Sequence, residues 1–431
     1  MRICISDYSG HPFQIQLSRE LACRGHDVLH LHFMEFQTPK GRLQLKTNDP
    51  PSLAIEAISL GQPFAKYAYI KRRYQEIEVG RRFASRIAAF APDLVVGCNL
   101  PIDALAKVSG SCRRKNLPFI FWQQDIYSAA IRKILKRKLG FLGQCVGHWY
   151  QLLERRAATN SAAVITIADD FRYVLEKEFR VPSTNIHVIE NWAPLDEITP
   201  RAKDNFWARS HGLADRQVIL YTGTLGLKHD PRQILALAEA LRERPKTSIV
   251  VVSEGPAAAW LFERKAFLKL ENLTLLPFQG IDVYADVLGS ADILVSLLEA
   301  DAGNFSVPSK VLSYMCAERA IVLSAPPNNL ASRLIERSGS GIVVPAGDAD
   351  RFIKATVSLL NDSNFRAQCA RRARQYAEVS FNIGAICDRF ESIFYFAKKG
   401  HHLTKVPAFG AVSETAGVIS NNVTRKSPTS T

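Results

Sequence analysis

Short aliphatic and β-branched runs alternate with amphipathic stretches along most of this chain, and the alternation runs through twice. Arg2–Asp7 reads as a strand, Tyr8–Phe13 as a loop holding Gly10, and Gln14–Arg24 as a helix closed by Gly25. Val28–Leu31 predicts the next strand and Gln75–Phe90 a long helix. Pro92–Gly97, Pro118–Trp122, Ala163–Ile167 and Ile186–Ile189 predict further strands, with a helix near Asp170–Phe179. The strands are unbroken apolar runs, the signature of parallel strands covered by helices on both faces.

The polar stretch Leu195–Asp204 reads as a linker, after which the pattern restarts. Gln217–Tyr221, Ser248–Val252, Leu273–Leu276, Asp292–Leu297, Ala320–Leu323 and Gly341–Val344 predict a second set of strands, and a helix begins at Pro231. The expected organisation is therefore α/β with two Rossmann-like domains, over residues 1–195 and 205–382. A helix over 383–399 is expected to pack back on the first domain. Residues 400–431 are rich in Ser, Thr and Asn, and predict disorder.

Length agrees, since 431 residues exceed one ordinary core. Arg2 leads directly into Ile3-Cys4-Ile5, and no apolar run approaches a bilayer span, so a cytoplasmic protein is expected. The eight cysteines are scattered singly, without a C-x-x-C pair, which favours reduced thiols and no metal site. Charge alters the picture. The net charge is +14, and between Lys66 and Lys138 sixteen Lys/Arg face five acids. A solvated surface accounts for this, and so does an anionic partner. Nucleic acid is not expected, because no nucleic-acid-binding signature accompanies the charge. Ile131–Leu142 alternates basic and apolar residues, as a segment lying peripherally on an anionic membrane would.

Three loops carry candidate chemistry. Thr222–Asp230, with Gly223, Thr224 and Lys228, opens onto a helix and suits a diphosphate, although a plain strand-to-helix turn reads the same way. Glu254 and Gly255 follow a strand at the edge where open α/β sheets bind ligands; an exposed loop glutamate is the alternative. Val307, Pro308, Ser309 and Lys310 lead into a helix whose N-cap would be Ser309, leaving backbone donors for an anion. Lys310 in a first helical turn is disfavoured by the helix dipole unless an anion is near. Together the three loops describe one nucleotide pocket.

The series Ser18-Arg-Glu-Leu-Ala-Cys-Arg-Gly-His26, Trp122-Gln-Gln-Asp125, Asn191-Trp192, Tyr221-Thr-Gly-Thr-Leu-Gly-Leu-Lys228, Glu254-Gly-Pro, Ala291-Asp292 and Pro308-Ser309-Lys310 resembles glycosyltransferase family 4, of GT-B fold, in particular its capsule and colanic-acid type. The resemblance spans about Ile3 to Phe396. It implies a retaining, metal-independent glycosyltransferase of surface polysaccharide biosynthesis with no resident cofactor. A nucleoside-diphosphate sugar, expected to be a UDP-sugar, is the donor, and the acceptor is a glycan or lipid-linked molecule, reached at the inner face of the plasma membrane. Lys228 matches the family's diphosphate lysine, Glu254 a residue beside the nucleoside, and Val307–Lys310 with Ser313 the phosphate and sugar loop. Asp125, Lys228 and Lys310 are the expected catalytic set. Gly10, His11, Gln124 and Asp125 are the acceptor candidates.

The chain also departs from the pattern. The family's two glutamates fall on Phe305 and Ser313, its arginine after Gly223 on Thr224, and its histidine after Trp122 within Gln123–Asp125. These departures keep open a non-catalytic nucleotide-sugar binder and, less readily, a nucleotide-sugar epimerase. A dinucleotide oxidoreductase is disfavoured because Asp7–Pro12 lacks G-x-G-x-x-G.

Overall fold

A computed structural model of the chain describes residues 1–38, 40–66, 68–226, 229–300 and 309–399. The first half builds strands β1 (Arg2–Asp7), β2 (Asp27–Phe33), β3 (Leu53–Ile58), β4 (Leu94–Cys98), β5 (Phe119–Gln123), β6 (Ala163–Thr166) and β7 (Ile186–Val188). Helices α1 (Pro12–Cys23), α2 (Tyr69–Phe90), α3 (Ile102–Arg114) and α4 (Tyr127–Thr159) lie between them. All seven strands are parallel, in the order β3-β2-β1-β4-β5-β6-β7.

After the short helix α5 (Phe206–Ser210), the second sheet sets β8 (Gln217–Thr222), β9 (Thr247–Val252), β10 (Leu273–Leu276), β11 (Ile293–Leu297), β12 (Ala320–Ser324) and β13 (Gly341–Val344) in the order β10-β9-β8-β11-β12-β13. Its helices are α6 (Arg232–Ala240), α7 (Pro256–Leu268), α8 (Ile281–Gly289), α9 (Lys310–Cys316), α10 (Leu330–Ser338), α11 (Ala349–Asn361) and α12 (Ser363–Ser380). In each sheet the strand order reverses once, at β1/β4 and at β8/β11. Connections leave to opposite faces at such a point and open a crevice beyond the strands' carboxyl ends. The loops after β1 and β8 therefore occupy equivalent positions in the two halves.

Helix α13 (Ile383–Lys399) crosses back to the first sheet. Arg24, at the C-cap of α1, holds Asp388 and Glu391, each at 2.5 Å, and His26 meets Glu391 at 2.7 Å. Phe390 sets its ring edge against Trp122, with centroids 4.7 Å apart, and Trp122 stacks on Trp192 at 5.8 Å. All three rings are buried, so the end of the chain and the end of the first half share one core with strand β5. Lys46–Glu197, Gln16–Asp196 and Arg42–Asp282 add polar ties along the junction.

Several elements differ from expectation. Strand β3 and helices α3 and α4 lie where the sequence reading placed nothing definite. The helix expected near Asp170–Phe179 is a 3-10 turn at Asp169–Phe171 followed by a π turn at Val174–Glu178. The wider bond from Phe179 N to Val174 O (2.9 Å) buries Leu175 and Phe179 together, and Arg180 then leaves in the left-handed region at φ 60°. The tail 400–431 lies outside the described residues.

Candidate functional site

The crevice of the second sheet is built by packing three loops around the end of β8. Gly223 N donates to Val252 O at 3.0 Å and Leu225 N to Ser253 Oγ at 2.9 Å, which fastens the loop after β8 to the loop after β9. Two glycines are required by backbone shape. Gly223 sits at φ 105°, and a Cβ there would stand 3.2 Å from Lys310 Cε. Gly255 caps α7 at φ 115° and ψ −179°, a conformation essentially confined to glycine. Pro256 begins the helix at the position where its missing N–H costs nothing, so α7 directs its amino end at this crevice.

Lys310 reaches into the same place from α9. Its ammonium donates to Tyr221 Oη at 2.7 Å, lies 4.4 Å from the centre of that ring and stands 3.4 Å from His229 Nε2. Tyr221 Oη passes its own hydrogen to the Thr224 carbonyl at 3.1 Å. Burial among these groups pushes the Lys310 ammonium down to about 7. Such a cation is costly to desolvate, and a phosphate oxygen restores its charge by supplying the anion the protein withholds. Thr222 supports the floor: its N–H donates to Tyr314 Oη (3.0 Å) and its hydroxyl meets Tyr284 Oη at 3.1 Å.

The structure thus brings Gly223, Thr224, Gly255 and Lys310 together. Glu254 lies beside them, exposed, with one carboxylate oxygen accepting from Phe278 N at 3.2 Å. Ser309 stands at the N-cap of α9, as the sequence reading expects. Its backbone is already helical, at φ −59° and ψ −22°, and its side chain makes no cap bond. Ser313 is half-buried and its hydroxyl bonds Tyr284. Lys228, Val307, Pro308 and Phe305 lie outside the described residues. Sequence reasoning missed Tyr221 and His229; an aromatic residue ending a strand just before Thr-Gly, and a histidine in the same loop, were the available signals.

The crevice of the first sheet has the opposite character. At the end of β1 the carboxylate of Asp7, fully buried, accepts from Ser9 N at 3.0 Å and from the amides of Gly10 and His11. The side-chain amide of Gln14, oriented to satisfy its neighbours, donates to both Asp7 oxygens at 3.0 Å and accepts from Asn99 at 2.9 Å. His30 Nε2 is 3.8 Å away, and its Nδ1 pairs with Ser18 at 2.8 Å. Burial outweighs these hydrogen bonds and pushes the Asp7 carboxyl up to about 7, while it drives His30 down to about 3. Gly10 at φ 76° closes the loop and His11 stacks on Phe13. Asp7 was not singled out in the sequence, although an acid ending a strand before Ser-Gly is a recognisable turn former.

Two strands away, beyond β4, Gln124 and Asp125 leave the end of β5. Gln124 is buried and accepts from Asn191 Nδ2 at 2.6 Å. Its own amide nitrogen has no hydrogen-bond partner. Asp125 is half-buried, two residues before α4. Among the described residues no cluster of His, Cys, Asp and Glu has the makings of a metal site, and no helix is long and apolar enough to cross a membrane.

Comparison with known proteins agrees with this division. The model of the family "Glycosyltransferase Family 4" matches residues 13–197, and that of "Glycosyl transferases group 1" matches residues 216–362. The chain is 23% identical over 252 residues to the alpha-D-kanosaminyltransferase of Streptomyces kanamyceticus, covering 56% of this chain and 62% of that one. It is 24% identical over 230 residues to WcaI of Escherichia coli K12, assigned as a colanic acid biosynthesis glycosyl transferase, covering 52% and 55%. The match thus spans less than two thirds of these curated relatives. In fold it is similar to Anabaena Alr3699/HepE, solved with UDP and glucose, with a TM-score of 0.68 at 16% identity over 92% of this chain and 99% of that one. The chain thus carries a glycosyltransferase family 4 domain on its first parallel sheet and a glycosyl transferases group 1 domain on its second, and it has the GT-B fold.

Proposed function

We propose that this protein transfers a sugar from a nucleoside-diphosphate sugar, a UDP-sugar, to a glycan or lipid-linked acceptor in surface polysaccharide biosynthesis, with retention of configuration and without a metal ion. The observation that carries the reading is the ammonium of half-buried Lys310, packed against Tyr221 and His229 beside the glycine backbone of Gly223. A diphosphate leaving group gathers negative charge as the glycosidic bond breaks. A fixed cation and a helix amino end are already oriented for that charge, so they stabilise the transition state with little reorganisation. Lys228, matched by sequence alone, is the second cation of the proposal. The acceptor hydroxyl passes its proton to the departing phosphate, which requires no protein nucleophile. The first-sheet loops at Gly10–His11 and Gln124–Asp125 orient that hydroxyl, and closing the two halves excludes the water that would otherwise take the sugar.

A nucleotide-sugar binder without transfer activity is the second reading. It is favoured by one observation: Ser313 stands where an acid is expected, and its hydroxyl is turned to Tyr284. Thermal shifts with UDP-, GDP- and ADP-sugars separate the cases when paired with an assay for released nucleotide diphosphate. Stabilisation by UDP-sugars, lost in Lys310→Ala, with diphosphate release on adding acceptor, supports transfer. Stabilisation without release under any acceptor supports the binder. No stabilisation by any donor rejects both.

A further inference from the structure

Residues Tyr127–Thr159 are helical but do not form one rod. Gly140, at φ 56° and ψ −126°, reverses the chain, so residues 127–139 and 141–159 lie side by side as antiparallel arms. Glu154 accepts from the amides of Tyr127 (3.2 Å) and Ser128 (2.9 Å), tying the end of the second arm to the start of the first. Arg132 donates to Gln151 at 3.2 Å. A Cβ on Gly143 would fall 2.1 Å from the Leu135 carbonyl oxygen, and one on Gly147 would fall 2.9 Å from Arg132 Cα. These glycines allow the arms to touch.

The tip of this hairpin is bare and apolar: Leu139 is 57%, Phe141 77% and Leu142 71% exposed. From Ile126 to Leu153 there is no acid, while Arg132, Lys133, Lys136, Arg137 and Lys138 crowd the first arm. The start of α2 continues the surface. Lys138 Nζ donates to Tyr69 Oη at 3.2 Å and lies 4.9 Å over that ring, and Ile70 and Tyr74 beside it are exposed.

Three occupants suit an apolar tip among cations to different degrees. A second copy meeting the same patch in a two-fold contact would set cations against cations. A nucleic acid backbone satisfies the charge but leaves Phe141 and Leu142 in water. An anionic bilayer satisfies both, with headgroups for the cations and an interfacial layer for the apolar side chains.

We infer that the hairpin tip and the first turn of α2 seat this protein on an anionic lipid bilayer, with Phe141 and Leu142 entering the interface and Lys136–Lys138 meeting the headgroups. The arm is thirteen residues long, about 20 Å at the helical rise, and its base follows Asp125 at the edge of β5. The acceptor loops then stand one arm's length from the membrane. The inference rests on a lipid-linked acceptor for its biological purpose, but not for its test.

The test spins the full chain with vesicles of phosphatidylcholine alone and of phosphatidylcholine mixed with phosphatidylglycerol. The chain is expected to pellet with the anionic vesicles alone, less so as salt rises. Lys136→Gln/Arg137→Gln/Lys138→Gln is expected to weaken partitioning about a hundredfold, at roughly fivefold per cation. Phe141→Ser/Leu142→Ser is expected to weaken it at least about tenfold. Equal pelleting of the charge variant, equal binding to both vesicle types, or no binding by the parent overturns the inference. A parent dimer dispersed by Phe141→Ser/Leu142→Ser also overturns it, by assigning the tip to a second copy. Both variants are checked for an unchanged thermal shift with UDP-sugar. Absence of that shift in the parent rejects the proposed reaction and leaves the vesicle result standing.

Discussion

The two crevices occupy the same topological position in their sheets, yet their electrostatics are opposed. In the second half the strand-end loop stands beside a half-buried cation, Lys310, faced by a phenol and an imidazole. In the first half the equivalent loop wraps a buried carboxylate, Asp7, faced by three backbone amides and Gln14. Fold places a crevice; the charge buried beneath it decides what the crevice receives. An under-compensated cation calls for an anionic ligand. A carboxyl ringed by its own amide donors, and driven by burial to hold a proton up to about 7, serves instead to shape the loop above it.

The comparison can be broken most forcefully at the seam between the halves. Phe390→Ala removes a ring packed on both Trp122 and Trp192 and is expected to cost about 3–5 kcal/mol, read by urea melts. A loss below about 1 kcal/mol would show that the return of α13 adds little. Next, Lys310→Ala is expected to weaken UDP binding by about 2–3 kcal/mol, measured by calorimetry, while the melting temperature without nucleotide holds or rises, because the variant no longer buries a cation.

A pH series sharpens the contrast. With Lys310 near 7 in the free protein, donor binding takes up a proton above that pH, so affinity is expected to fall by up to about tenfold per unit as pH rises past about 7. Lys310→Ala should flatten the profile. Asp7 acts in the other direction and on stability. Its folded value of about 7 lies above the ordinary 3.8, so the native state holds the extra proton between these values, and this contribution to stability is lost as pH rises through about 7. Asp7→Asn is expected to remove that slope in melts across the range, and to change acceptor KM more than donor KM through the Gly10–His11 loop. The smallest effect is expected from Glu254→Ala, which gives up an exposed hydrogen bond to Phe278 N; its UDP affinity should shift by less than about 1 kcal/mol.

Much of this was legible in the chain. Parallel strands buried on both faces announce themselves as apolar runs, and most of the expected strands recur within a residue or two. The glycine loops were legible because Gly223 and Gly255 hold backbones that other residues rarely adopt. Strand β3 was harder to see: its burial is partial and Glu56 interrupts the run. The hairpin of α4 carries a basic and apolar alternation that reads equally as a surface segment, and only contacts such as Glu154 with Tyr127 reveal the reversal. Ser309 illustrates the converse: a residue type suited to capping was present, but its backbone was already helical.

Sequence alone determined the two-sheet architecture, the restart of the pattern near Gln217 and the loops that face the crevices, because periodicity and glycine act locally along the chain. Only tertiary structure decided which charges are buried, and with what. Lys310 meets Tyr221 and His229 across separations of 89 and 81 residues, and Phe390 reaches Trp122 from the far end of the described chain. Desolvation depends on every element packed around a group, and no local pattern records that sum.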